Sequence, residues 1–305
     1  MRILASLLVF LCFLAVAQVT LVQSSSQNWY ADSHPAGMEC QPGRQQTDQT
    51  TITIAQVRAV PEKGRLEANH RLLMRILGEV EKHPGVDVTI TPEGFLDGYV
   101  ATEKEVTPED MVRYAVDPAT SPYVRAATDW ARRNRCWLVY GCARLEGERV
   151  FNSALIITRE GRIAWTYDKL HIQTHDFKYA PGRHLSVYPS EFGPFGVMIC
   201  ADRRWPETVR TMALAGARVI FNPTYGMDDE FNVCMMRTRS FESELYIAFT
   251  HPRQSLITDP GGRVLLDDRD GKRCYSVTTI DLAQADARRA SPSGHLRDRR
   301  TDIYR

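Results

Sequence analysis

Apolar positions along the chain fall into short runs that switch between a period of two and a period of three to four. Residues 51–57 (TITIAQV) alternate and predict a strand. Over 66–82, Leu72, Leu73, Ile76, Leu77 and Val80 share one helical face until His83-Pro84-Gly85 ends it. A helix is predicted over 122–134, and extended segments over 86–91, 136–143, 151–158 and 163–167, the last two separated by a turn at Gly161. The alternation continues with 196–200 extended, 206–215 helical, 218–222 extended, 232–244 helical and 245–250 extended. Interleaved strands and helices of this kind make an α/β chain with several hairpins.

The N-terminus departs from this pattern. Met1 and Arg2 precede an apolar run over 3–17 that closes on Ala15-Val16-Ala17, and polar residues occupy 23–27. A charged start, a short apolar stretch and small residues at its end read as a secretory signal peptide over 1–25. An uncleaved anchor is the competing reading, although the run is shorter than the ~20 apolar residues a spanning helix needs. Residues 26–50 are polar and aperiodic and read as an N-terminal extension, with the packed domain expected over 51–305. The protein is therefore expected to be exported, secreted or periplasmic, without membrane attachment once the leader is removed.

Charge narrows the partners. Lys and Arg total 38 against 37 acidic residues, so no broad field draws the protein to nucleic acid or to an anionic membrane, and small-molecule chemistry is favoured. Of the seven cysteines, Cys12 falls in the leader. The others (Cys40, Cys136, Cys142, Cys200, Cys234, Cys274) form no CxxC pair and meet no His at zinc-site spacing. Neither a metal nor another cofactor is expected. Export permits disulfides, but the spacing does not pair these residues, and some read as small buried apolar side chains.

Three predicted strands end in reactive groups. Gly196-Val197-Met198-Ile199 stops at Cys200, and Pro206 then suits a first helical turn, so Cys200 lies on a strand-to-helix elbow. An elbow exposes a side chain beside free backbone N–H groups, which suits a nucleophile whose attack creates an oxyanion. Thr89-Ile90-Thr91-Pro92-Glu93-Gly94 ends in a carboxylate. Ile163, Trp165 and Tyr167 alternate, and Lys169 keeps their parity, which places its ammonium on the aromatic face. Singly, each has a plainer reading: a buried structural thiol, a solvated turn Glu, a Lys reaching along a strand end to water. Together they are chemically sufficient, with Glu93 as base for the thiol and then acid for the leaving nitrogen, and with Lys169 and the Ala201 N–H as oxyanion donors.

Pro92-Glu93-Gly94, Tyr167-Asp168-Lys169-Leu170-His171, Pro181-Gly182, Cys200-x-Asp202-x-x-x-Pro206-Glu207 and Arg239-x-x-Glu242 stand in register with the nitrilase superfamily of carbon-nitrogen hydrolases, which the chain resembles over 51–282. The resemblance implies a four-layer αββα sandwich, pairing into a homodimer or larger homo-oligomer, and a catalytic Glu93, Lys169 and Cys200. It also implies a second acid between the Lys and the Pro-Gly, for which Asp176 is available. Nitrile-cleaving members usually carry Trp after the nucleophile, whereas Ala201 stands here, so amide or carbamoyl hydrolysis is favoured. The run Asp202-Arg203-Arg204-Trp205-Pro206-Glu207 is similar to N-carbamoyl-D-amino-acid hydrolases, which implies that Arg203, Arg204 or both hold a substrate carboxylate through their guanidinium forks. Each could instead pair with Asp202 or Glu207. His171 and His175 are candidates to orient substrate or to support Glu93.

The competing functions are a nitrilase, a broad amidase or an acyltransferase of the same family, and a catalytically silent binding protein that keeps the fold. An extracellular peptidase lacks the Cys-His arrangement it would need.

Overall fold

The computed structural model describes residues 49–227 and 229–303. The predicted leader and nearly all of the extension, with Cys12 and Cys40, lie outside the described residues.

Among the described residues, twelve strands form two six-stranded sheets, ordered β12-β1-β2-β3-β4-β5 and β11-β10-β9-β8-β7-β6. In the first sheet β1 (Thr51–Val57), β2 (Val88–Ile90) and β3 (Trp137–Glu146) are parallel, and β4 (Arg149–Ile157) and β5 (Ile163–Asp168) continue as an antiparallel meander. In the second, β7 (Phe195–Val197), β8 (Val219–Pro223) and β9 (Tyr246–His251) are parallel. They are flanked by antiparallel β6 (Val187–Tyr188) on one side and β10 (Gln254–Thr258) with β11 (Val264–Asp268) on the other. β12 (Tyr275–Asp281) returns to pair antiparallel with β1.

Alternation along the strands divides their side chains between two cores. Ile52, Ile54, Ile90, Val139 and Ile156 of the first sheet pack against Phe195, Val197, Phe221 and Ala248 of the second, giving a sheet-on-sheet interior. The opposite parity, Ala55, Val57, Leu138 and Leu155, meets helices α1 (Leu66–Val80) and α2 (Pro122–Asn134). Ile220, Ile247 and Phe249 likewise meet α3 (Pro206–Leu214) and α4 (Glu230–Ser243). The layers therefore run helix, sheet, sheet, helix, the αββα sandwich anticipated from the sequence.

Helix ends follow local chemistry. Ser121 caps α2 by accepting the Val124 N–H, Pro122 occupies its first turn, and Arg135 closes it in the left-handed region at φ 51°. In α1, Leu73, Ile76, Leu77 and Val80 are buried, each contributing about 2 kcal/mol by leaving water.

One expectation about faces is corrected. A bulge shifts the register of β4 and β5 between Ile156 and Ile157, so Trp165 pairs with Ile156 and Ile163 with Ile157. Ile163 consequently packs on the helix side, while Trp165 and Tyr167 face the inter-sheet core. The constant parity read from the sequence holds only from Trp165 onward.

Candidate active site

The carboxyl ends of β2, β5 and β7 open toward one another across the two sheets, the usual place for a site in an open α/β layer. After β2, Thr91 ties the chain to β3 by donating its N–H to the Val139 carbonyl at 3.0 Å and accepting the Gly141 N–H at 2.8 Å. Glu93 follows and is fully buried. Gly94 then turns at φ 55°, where an added Cβ would stand 3.0 Å from the Tyr99 backbone, and its carbonyl accepts the Tyr99 N–H at 2.9 Å. The loop thus folds Tyr99 back over the carboxylate it has just delivered.

Lys169 is set by an equally crowded strand end. Asp168 takes Ser153 Oγ at 2.5 Å and Arg144 Nη2 at 2.8 Å, while the Lys169 N–H donates to the Asn152 carbonyl at 2.8 Å. Gly182 packs so tightly that an added Cβ would lie 2.1 Å from the Asp168 carbonyl oxygen, which explains the Gly of the Pro181-Gly182 pair. From this anchor the fully buried Lys169 Nζ reaches Glu93 Oε1 at 2.9 Å and Asp176 Oδ2 at 2.5 Å. Asn152 Nδ2 also donates to Glu93 Oε1, at 2.8 Å, and the Tyr99 hydroxyl donates to Asp176 Oδ1. Glu93 Oε2 is left without a partner.

Burial alone would drive Lys169 toward the neutral amine. The charges of Glu93, Cys200 and Asp176 outweigh it and raise the ammonium above the ordinary lysine range. Tyr99 moves the same way through burial, then Glu93, Cys200 and Asp176, and stays a phenol able to donate.

Cys200 begins a 3-10 turn, Cys200–Arg204, between β7 and α3, with φ 46°, a left-handed conformation costly for a side chain with a Cβ. Asp202 holds that turn. Its Oδ2 accepts the Ile199 N–H at 3.0 Å and the Tyr167 hydroxyl at 2.7 Å, and its Oδ1 accepts the His171 N–H at 3.0 Å and faces His171 Nδ1 at 2.7 Å. Tyr167 and His171 come from the first sheet's side, so one carboxylate joins both sheets at the elbow. Arg239 secures the far side by donating Nε to the Arg203 carbonyl at 3.0 Å and Nη2 to the Arg204 carbonyl at 2.9 Å, itself paired with Glu242 at 2.9 Å. Ala201 sits in the first turn, where N–H groups lack partners within the helix.

Residues 51–290 match the family model for carbon-nitrogen hydrolase. The chain belongs to the carbon-nitrogen hydrolase family. It is 28% identical over 268 residues to a nitrilase of Pyrococcus abyssi, covering 83% of this chain and 99% of that one. It is 27% identical over 244 residues to an (R)-stereoselective amidase of Pseudomonas sp, covering 75% and 85%. The fold matches a carbon-nitrogen hydrolase structure from Helicobacter pylori G27 at TM-score 0.70 and 22% identity, over 84% of this chain and 98% of that one.

Within this carbon-nitrogen hydrolase the predicted residues separate into groups. Glu93, Lys169 and Asp176 are in direct contact, and Arg203 Nη1 lies 3.4 Å from the Cys200 sulfur. Arg203 pairs with neither Asp202 nor Glu207: it is fully buried, with Nη2 on Asn232 Oδ1 at 2.8 Å. Arg204 is exposed and lies against Met227 Sδ at 3.0 Å. His171 does not support Glu93; it is held by Asp202 and stacks on Trp205 with centroids 3.9 Å apart. His175 is half exposed, 3.9 Å from Asp176 and edge-on to Tyr99.

Asn152, Tyr99 and Asn232 were not anticipated. Asn152 had a signal, as an amide inside the otherwise apolar start of β4; Tyr99 and Asn232 had none, because distant folding brings them in. Of the other cysteines, Cys136 and Cys142 are buried free thiols, and burial pushes Cys136 up to about 12.

Proposed function

We propose that the protein hydrolyses the carbon-nitrogen bond of a small linear amide or N-carbamoyl compound through a thioester on Cys200. The observation that carries this reading is the buried Glu93-Lys169-Asp176 cluster beside a thiol held at a strained elbow. Glu93, through its unpartnered Oε2, takes the thiol proton, and the sulfur attacks the carbonyl carbon. Lys169 and the Ala201 N–H hold the oxyanion, and Glu93 returns its proton to the departing nitrogen. Water, activated by the same carboxylate, then releases the acyl group. Asp176 and Tyr99 keep the ammonium charged and aimed.

Ala201 in place of Trp after the sulfur supports amide over nitrile substrates. Ammonia release from a panel of simple amides, ω-amides and N-carbamoyl amino acids tests the reading. Intact-mass detection of an acyl adduct that disappears in Cys200→Ala identifies the nucleophile. Absence of both adduct and ammonia across the panel in folded protein would favour the silent binding protein. The leader read over 1–25 further supports export, which N-terminal sequencing of the mature protein checks.

A further inference from the structure

A fully buried guanidinium ordinarily meets a carboxylate, because an unpaired charge inside a protein is costly. Arg203 meets none among the described residues. Its Nη1 points at Cys200 Sγ at 3.4 Å, and its Nη2 is shared between Asn232 Oδ1 at 2.8 Å and the Gly226 carbonyl at 3.4 Å. Its plane lies over the Phe249 ring, 5.4 Å from the centroid, and its Nε has no partner. The neutral neighbours satisfy the hydrogen-bonding geometry on one side and leave the charge uncompensated. The enclosed guanidinium also presents no free fork for a two-pronged grip on a substrate carboxylate.

The groups around the sulfur show what that charge can serve. Glu93, Asp176, Lys169 and Tyr99 form one hydrogen-bonded group on the first sheet's side, and Arg203 touches the sulfur from its own turn. Lys169 already faces two carboxylates, one more than its charge offsets, so it has none to spare for a further anion. When the S–H bond breaks and the proton moves to Glu93, the electron pair stays on sulfur, and the group in contact with that new charge is Arg203.

We propose that Arg203 is the counter-charge of the Cys200 thiolate and so a catalytic residue, rather than the holder of a substrate carboxylate. This rests on Cys200 being the nucleophile, but its test needs no turnover. Cys200 keeps 4% exposure, and Cys234 and Cys274 are exposed, so alkylation by iodoacetamide is followed at Cys200 alone by peptide mass spectrometry as a function of pH. In Arg203→Met the alkylation profile is expected to move up by about one pH unit, a roughly tenfold slower reaction near neutrality. Arg203→Lys should fall between that variant and the unaltered protein. Asn232→Asp keeps the guanidinium but gives it a carboxylate, and should also move the profile up, which covers the case in which Arg203→Met does not fold. Unchanged profiles in the folded variants would overturn the proposal. So would a rise in KM confined to acidic substrates in Arg203→Met with alkylation unaltered. A panel without turnover would sink the hydrolase reading and leave the alkylation result standing.

Discussion

On the side of the site built by the first sheet, the buried cation Lys169 stands between two carboxylates; on the side built by the second, the buried cation Arg203 has none. The first arrangement is closed to further negative charge: two carboxylates already face one ammonium, a surplus of one, and one oxygen of Glu93 has no partner among the described residues. The second is open by one negative charge. Under the proposed mechanism the two sides take different charges. A cluster with one carboxylate in excess is suited to accept a proton, whereas an uncompensated cation is suited to a step that puts charge on sulfur.

The largest effect is expected from breaking the closed side. Lys169→Met leaves Glu93 and Asp176 facing each other without a cation, which should cost about 3–5 kcal/mol of stability and abolish ammonia release. Denaturant unfolding and an ammonia assay check both. If the variant is as stable as the unaltered chain, Lys169 is not what holds the two carboxylates together.

Asp97 sharpens the contrast within the same loop. It is buried and accepts the Ala143 N–H at 2.7 Å, and burial raises it to about 6 despite its backbone hydrogen bonds and the charge of Lys63. Its folded value lies above the unfolded one near 3.8, so the stability it contributes is full below that value and is lost as pH rises through about 6. The loss should amount to about 3 kcal/mol. Urea unfolding of the unaltered chain and Asp97→Asn between pH 4 and 7 should show a difference that shrinks with rising pH; a constant difference contradicts the assignment.

Asp202→Asn probes the elbow. An amide nitrogen turned toward the donors Ile199 N–H, Tyr167 or His171 should cost about 2 kcal/mol and lower kcat tenfold to a hundredfold, with KM little changed. A matching fall in kcat/KM that comes wholly from KM would argue against a positioning role. The smallest effect belongs to the strained backbone: Cys200→Gly should be about 1 kcal/mol more stable than Cys200→Ala, since only glycine adopts φ 46° without strain. Thermal unfolding of the two variants decides it.

Much of the fold was legible because periodicity reports burial. The predicted helix over 122–134 matches α2, and the other early elements differ mainly at their ends. β11 and β12 were not read: VLLDD and YSVTTID carry exposed or polar positions at sheet edges, where burial imposes little pattern. The bulge before Trp165 was equally hidden, because a one-residue shift leaves no mark on composition. In the site, Glu93, Lys169 and Cys200 could be read as strand ends with chemistry. Asp202 appeared only as part of a motif, and Asn152, Tyr99 and Asn232 depend on which segments meet in three dimensions.

The four-donor carboxylate at position 202 also acts as a rivet. Because it grips a phenol rooted in one sheet and the amide just before Cys200 in the other, neither layer can slide along its neighbour without moving the sulfur. Divergence in surface loops can therefore reshape what enters the cleft while the spacing of the reacting groups stays constant, and heating that loosens the sandwich should extinguish turnover in the same transition.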